Sequence, residues 1–286
     1  MEEKGIQTGQ GVMIMKLGVI IGYEKNIREK FKTLKELGIP TCQLSIWNLN
    51  VIDDDALREV SKASEEFEIE ITALWGGWPG PKVWDFVQGP ITLGLVPKEY
   101  RNQRMDAMLA HSDFALKLGV KDIATHVGYI PENPSDENYR SLIATLQYIV
   151  RHYKGRNQNF LFETGQETPI TLKRTIDDIG LPNVGVNLDP ANLLMYGKAN
   201  PVDALDILGP YVLGVHGKDG EYPTDGYRLG KEKPLGEGSV RYDLFIKKLK
   251  SIGYTGAITI EREISGEKQI EDIKKAKALL EKYLAE

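Results

Sequence analysis

Four residues in the second half of the chain, Glu163, Asp189, His216 and Glu261, are of types that hold metal ions or move protons. They stand 26, 27 and 45 residues apart, and each ends a short, mostly apolar run: Asn-Phe-Leu-Phe-Glu, Val-Gly-Val-Asn-Leu-Asp, Val-Leu-Gly-Val-His and Ala-Ile-Thr-Ile-Glu. Runs with no apolar/polar alternation read as strands buried on both faces of a parallel sheet. The carboxyl ends of such strands are where parallel α/β folds keep their chemistry.

Taken singly, each residue has a plain explanation: a satisfied strand-end histidine, or an acidic cap for the next helix. Taken jointly, four ligand types at matching places ask that explanation to absorb a coincidence. Three carboxylates held together repel and desolvate one another unless a cation neutralises them. One divalent metal ion is the simplest answer. Three oxygen donors and one imidazole suit manganese, magnesium or cobalt, with zinc also within range.

Eight strand-like runs, at 17–22, 42–47, 70–75, 122–128, 159–163, 184–189, 211–216 and 257–261, alternate with helical stretches. The helices are read at 26–37, 53–67, 98–118, 135–153, 168–179, 191–196 with 201–208, 240–252 and 267–284. Glycines stop several of them, as at Gly38 and Gly119. This alternation points to a single-domain (β/α)8 TIM barrel over residues 16–286, preceded by a short N-terminal extension, residues 1–15. An open doubly wound sheet is the competing architecture. Residues 76–97, rich in Gly, Pro and Trp, exceed a minimal turn and read as a functional loop or lid. The polar loop 217–238 accounts for the longest of the three spacings.

A chain of 286 residues with 41% hydrophobic residues can bury one barrel or two ordinary domains. Its net charge of −5 argues against a nucleic-acid partner, which calls for a basic surface. Cys42 is the only cysteine, which excludes an intrachain disulfide or a thiolate metal cluster and makes a cytoplasmic setting the default. No apolar run approaches the roughly 20 residues that span a bilayer, so no membrane partner is expected. Residues 1–15 lack the apolar core and cleavage site of a signal peptide, and read as a tail or an edge hairpin. A homo-oligomer is compatible with all of this.

Five segments carry a resemblance: Phe-Glu-Thr-Gly at 162–165, Asn-Leu-Asp-Pro-Ala-Asn at 187–192, Val-His-Gly-Lys-Asp at 215–219, Pro-Leu-Gly-Glu-Gly at 234–238 and Ile-Glu-Arg-Glu at 260–263. In order and spacing they resemble the xylose-isomerase-like sugar phosphate isomerase/epimerase superfamily of TIM barrels, from residue 16 to the C-terminus. In its ketose 3-epimerase branch the matching Glu, Asp, His and Glu bind one divalent metal, and the two glutamates exchange the substrate proton from opposite faces. The resemblance therefore implies metal ligands Glu163, Asp189, His216 and Glu261, with Glu163 and Glu261 catalytic. The chemistry stands without it: a metal chelating a carbonyl and its neighbouring hydroxyl stabilises an enediolate, so that a carboxylate can remove the α-proton.

Substrate contacts are expected from His126, at the end of the fourth strand, and from Asn192, three residues after Asp189. Epimerases of the resembled type carry a histidine at that second place. An amide there can donate to a hydroxyl but cannot shuttle a proton, so the departure bears on which substrate is taken. The arginine those enzymes place after the metal histidine has no counterpart either; Lys218 or Arg228 is the candidate cation. Glu167 and Glu237 are candidates for hydroxyl contacts, against the alternatives of a solvated loop carboxylate and a glycine-built turn. Trp75, with Trp47, Trp78 and Trp84, is placed to stack on a sugar ring or to pack a lid. His111 and His152 lie inside helices and read as surface or packing residues.

The leading expectation is a metal-dependent isomerase or epimerase of a small sugar, ketose or cyclitol. A keto-cyclitol dehydratase using the same enediolate is the nearest alternative. An apurinic-site nuclease needs a histidine-rich multi-zinc cluster, which four histidines in all do not supply. A metal-free sugar-binding protein leaves the clustered carboxylates unexplained.

Overall fold

The computed structural model describes residues 15–286. The strands are β1 (Lys16–Gly22), β2 (Thr41–Ile46), β3 (Glu70–Gly76), β4 (Asp122–Thr125), β5 (Asn159–Glu163), β6 (Val184–Leu188), β7 (Val212–Gly217), β8 (Asp219–Gly220), β9 (Glu232–Lys233) and β10 (Ala257–Ile260). Eight of them close into a barrel, in the order β1-β10-β7-β6-β5-β4-β3-β2, and β8 pairs only with β9. Every barrel pairing is parallel. The TIM barrel expected from the alternating runs is therefore the fold. The extension expected over residues 1–15 lies outside the described residues except at Met15, which is buried.

The helices are α1 (Ile27–Glu36), α2 (Asp54–Phe67), α3 (Gly89–Thr92), α4 (Lys98–Leu118), α5 (Glu137–Lys154), α6 (Pro169–Ile179), α7 (Pro190–Met195), α8 (Pro201–Leu208), α9 (Tyr242–Ser251) and α10 (Glu267–Ala285). Local chemistry sets several of their ends. Asp53 accepts the Ala56 N–H at 2.7 Å to start α2, and Asp136 accepts the Asn138 N–H at 2.7 Å to start α5. At the other end of α4, Gly119 adopts φ 74°, where a side chain would be strained. One apolar face of each long helix then packs on the barrel, and a continuous cluster including Phe31, Leu44, Leu146, Phe160, Phe245 and Ile258 fills the space between them. Among the described residues no helix is long and apolar enough to cross a membrane.

Two departures from the sequence reading matter for the site. The fourth strand stops at Thr125 rather than running to Gly128, because the Val127 carbonyl is taken by Leu95 N–H at 2.7 Å and Val96 N–H at 3.2 Å from the 77–97 loop. The 217–238 loop is not plain coil: β8 and β9 make a two-residue antiparallel clip inside it, too short to leave a periodic signal.

Candidate functional site

The strand ends converge as their spacing predicts. Glu163 closes β5, Asp189 and Glu261 follow β6 and β10 by one residue, and His216 is the penultimate residue of β7. One carboxylate oxygen from each acid and one imidazole nitrogen all lie within 4.8 Å of one another. The nitrogen is His216 Nδ1, which sits 3.0 Å from Glu163 Oε1, 3.1 Å from Glu261 Oε2 and 3.7 Å from Asp189 Oδ2.

Asp189 does both things that its position allows. Its Oδ1 caps α7 by accepting the Asn192 N–H at 2.9 Å, and Thr164 clamps its backbone, Oγ1 accepting the Asp189 N–H at 2.8 Å. Its Oδ2 is buried with no hydrogen-bond partner, as is His216 Nδ1. Unpartnered polar atoms aimed at a common point inside a protein are costly, and a divalent cation bound by these four residues would satisfy both. The oxygen-rich donor set fits such an ion.

Among the side chains alone, burial opposes the charged form of each group and the neighbours decide the outcome. Burial raises the Glu163 pKa, and the proximity of Asp189 and Glu261 adds to it, against His216. Burial acts the same way on Glu261, but Lys218 and His216 outweigh it and hold that carboxyl low. For His216 and Lys218, burial favours the neutral form, yet the surrounding carboxylates raise both well above their ordinary values.

Lys218, two residues past His216, is 2% exposed and reaches Glu263 Oε1 at 2.6 Å, Glu261 Oε2 at 3.2 Å and Asp189 Oδ2 at 3.7 Å. Asp219 turns the other way. Its Oδ1 accepts from the N–H groups of Gly220 (2.8 Å) and Val240 (3.0 Å), and its Oδ2 from Gly236 (2.9 Å) and Gly238 (3.1 Å). The Val-His-Gly-Lys-Asp segment therefore serves the site with two side chains and builds the 234–240 turn with a third.

A cavity of about 290 Å³ opens over this cluster, and Trp47, Trp75, Trp84, His126, Asn192 and Tyr196 are among the residues lining it. Trp75 meets Trp47 at 5.0 Å between ring centroids, and His126 stands edge-on to Trp75 and Trp84 at 5.7 and 5.4 Å. Burial, chiefly, pushes the His126 pKa down to about 3, so its imidazole is neutral near pH 7. The wall carrying Trp78 and Trp84 is tied down rather than free. Buried Arg104 donates to the carbonyls of Gly94 (2.6 Å), Pro81 (2.8 Å) and Pro79 (3.1 Å), and Arg101 to those of Leu95 (2.7 Å) and Val96 (2.6 Å). His111 joins them, its Nε2 2.8 Å from the Gly77 carbonyl, which makes it a buried packing residue; His152 is half-buried beside Asp113.

Three residues expected at the site lie elsewhere. Arg228 leaves 85% of its side chain in solvent, 4.0 Å from Asp225, because the β8–β9 clip carries that part of the loop outward. Glu237 is exposed on the turn that Asp219 anchors. Glu167 is buried behind Glu163 rather than lining the cavity, with Oε1 unpartnered, and burial raises its pKa to about 8. Conversely, Gln43, Asn187 and Glu263 were not singled out from the sequence, although Asn187 and Glu263 each stand two residues from a recognised strand-end position; Gln43, in the middle of β2, has no such marker. Polar residues at that spacing in otherwise apolar runs were the available signal.

Residues 31–283 match the family described as xylose isomerase-like TIM barrel. The chain belongs to that family. Among solved structures, a xylose isomerase domain protein from Planctomyces limnophilus is 31% identical with a TM-score of 0.89, over 94% of this chain and 97% of that one. D-psicose 3-epimerase from Clostridium cellulolyticum H10 superposes with a TM-score of 0.70 at 14% identity, over 94% and 99% of the two chains. The probable 3-DHS dehydratase AsbF from Bacillus anthracis does so with a TM-score of 0.67 at 18% identity, over 93% and 99%. The last two likenesses are of fold. A curated relative from Methanocaldococcus jannaschii, an uncharacterised protein, is 30% identical over 182 residues, which span 59% of this chain and 58% of that relative. The xylose isomerase-like scaffold thus carries both sugar epimerases and a dehydratase among the neighbours of this chain.

Proposed function

We propose that the protein is a divalent-metal-dependent isomerase or epimerase of a small sugar, with Glu163, Asp189, His216 and Glu261 as metal ligands and Glu163 and Glu261 as the groups that move the proton. The observation that carries the reading is the convergence of three carboxylates on His216 Nδ1 at the floor of a tryptophan-walled cavity. A divalent ion held there would supply Lewis acidity that polarises a carbonyl and makes the neighbouring carbon easier to deprotonate.

The chain's own groups do the rest. Glu163 and Glu261 come from strands separated in the barrel by β6 and β7, so they flank the bound sugar and can remove and return a proton on a carbon between them. Trp47, Trp75 and Trp84 offer flat apolar faces to the ring, exclude water and leave the hydroxyls to His126 and Asn192. Lys218 is the cation lining the cavity among the described residues, and three carboxylates already engage it. The site therefore suits an uncharged ketose or cyclitol over a phosphorylated one.

Offering the manganese-loaded protein a panel of ketoses and keto-cyclitols and following products by NMR tests the reading. Formation of an epimer or isomer, stopped by chelator, is the expected result; an unchanged panel overturns it. One observation favours a second reading on the same floor: buried Lys218 pairs at 2.6 Å with the solvent-facing carboxylate of Glu263 at the cavity edge, a proton source for a departing hydroxyl, as in a dehydratase. Loss of water in place of an epimer selects that reading.

A further inference from the structure

Directly beneath the four strand-end residues lie two fully buried carboxamides, Gln43 of β2 and Asn187 of β6, 2% and 0% exposed. The interior of such a barrel is filled mostly by branched apolar side chains. A carboxamide there is destabilising unless its polar atoms are bonded. Here they are bonded in a line that runs from one proposed metal ligand to another. Asn187 Nδ2 donates to Glu163 Oε2, Gln43 Nε2 donates to Asn187 Oδ1 at 2.9 Å, and Gln43 Oε1 lies 2.8 Å from His216 Nε2.

The carboxylate end fixes the direction of this line. An ionised carboxylate only accepts, so Asn187 must turn its amide nitrogen to Glu163 and its oxygen to Gln43. Gln43 must then donate to Asn187, which leaves its Oε1 facing the imidazole. That oxygen only accepts, so His216 Nε2 carries a proton, and in the neutral imidazole the lone pair falls on Nδ1. In the other neutral tautomer two acceptors would oppose each other at 2.8 Å. Flipping both amides to relieve that would set Asn187 Oδ1 against the Glu163 carboxylate. Asn187 Nδ2 also lies 3.0 Å from His216 Nε2, but it has its acceptor in Glu163, whereas Gln43 Oε1 has no donor other than the imidazole.

Two features of the backbone make room for the arrangement. A Cβ at Gly214, two residues before His216 on the same face of β7, would collide with Asn187 Oδ1. The barrel ladder is interrupted at two places, between Cys42 and Gln43 and between Val186 and Asn187, immediately before each carboxamide. Bulges of this kind re-aim side chains next to active sites.

We propose that Gln43 and Asn187 are positioning residues that hold His216 as its Nε2–H tautomer and so present the Nδ1 lone pair to the three carboxylates, with Gly214 as the residue that leaves them space. The proposal rests on the metal-site reading above and concerns residues that do not touch the ion. Groups that orient a ligating histidine typically change metal affinity 10- to 100-fold when removed.

The test is long-range proton–nitrogen NMR on the full chain with nitrogen-15 histidine, loaded with zinc, together with calorimetric titration of manganese. A proton on His216 Nε2 and a metal-shifted Nδ1 are expected in the unsubstituted protein. Gln43→Leu and Asn187→Leu should lose that single tautomer signature and bind manganese 10- to 100-fold more weakly. Gln43→Glu, which keeps an oxygen for the Nε2–H, should retain the signature and lose less affinity. Gly214→Ala should behave like Asn187→Leu. A proton on Nδ1 with a bare Nε2, or unchanged manganese affinity in folded Gln43→Leu and Asn187→Leu, overturns the proposal. Where a leucine variant does not fold, the spectrum of the unsubstituted protein and the Gln43→Glu titration decide. Failure of the unsubstituted protein to bind any divalent ion would sink the metal reading separately, and its spectrum, in which Nε2 must still carry a proton, would still judge the line from Gln43 to Glu163.

Discussion

Glu163 and Glu261 stand at nearly equal reach of His216 Nδ1, 3.0 and 3.1 Å, yet their surroundings differ. Glu261 has Lys218 beside it at 3.2 Å; Glu163 is bonded to Asn187 inside the barrel. Both are proposed to move the substrate proton, so Glu163→Gln and Glu261→Gln should each lower turnover by about 10²- to 10⁴-fold while binding of an unreactive sugar analogue, read by calorimetry, falls far less. Equal loss of both would mean a collapsed metal site. Glu167 makes a prediction about stability rather than rate. Its carboxyl, raised from 4.5 to about 8 by burial, holds a proton in the folded chain that the unfolded chain releases. Its contribution is therefore fully present below pH 4.5 and is lost as pH rises towards about 8. Glu167→Gln should remove that decline, which amounts to a few kcal/mol at about 1.4 kcal/mol per pH unit, and denaturant midpoints measured across the window check it.

Among the elements, the 77–97 segment shows where a sequence reading stops. Its composition marks it as functional, but nothing in residues 76–97 says that it is fixed, because the residues that fix it, Arg101 and Arg104, lie in the following helix and look like surface cations. Arg104→Ala removes three hydrogen bonds to loop carbonyls and should cost about 3 kcal/mol, seen as a lower denaturant midpoint with altered tryptophan fluorescence. Gly94→Ala should be as damaging, since φ is 69° and a Cβ would collide with the Val127 backbone. The strand ends, by contrast, were legible because one barrel unit repeats about every 30 residues, so equivalent positions can be matched without knowing any contact. The 217–238 loop was not legible. Arg228 is a candidate cation only because it lies in that loop, but a two-residue clip and the four N–H bonds to Asp219 decide the loop's path, and neither leaves a periodic trace.

At the scale of the whole molecule, a closed parallel sheet brings residues more than 90 positions apart in sequence onto one ring, so the proposed metal is held by four strands at once. An ion that binds only the folded ring stabilises it by mass action, by about 2.7 kcal/mol at a hundred times its Kd. Saturating manganese should therefore raise Tm by several degrees, and a chelator should reverse the gain. The fate of the substrate proton is the most direct sign of exchange through Glu163 and Glu261. In heavy water, the manganese-loaded protein turning over a ketose should place solvent deuterium on the carbon next to the carbonyl, with the label lost on chelation and in Glu163→Gln. Product formed with no deuterium uptake would contradict exchange through the two glutamates.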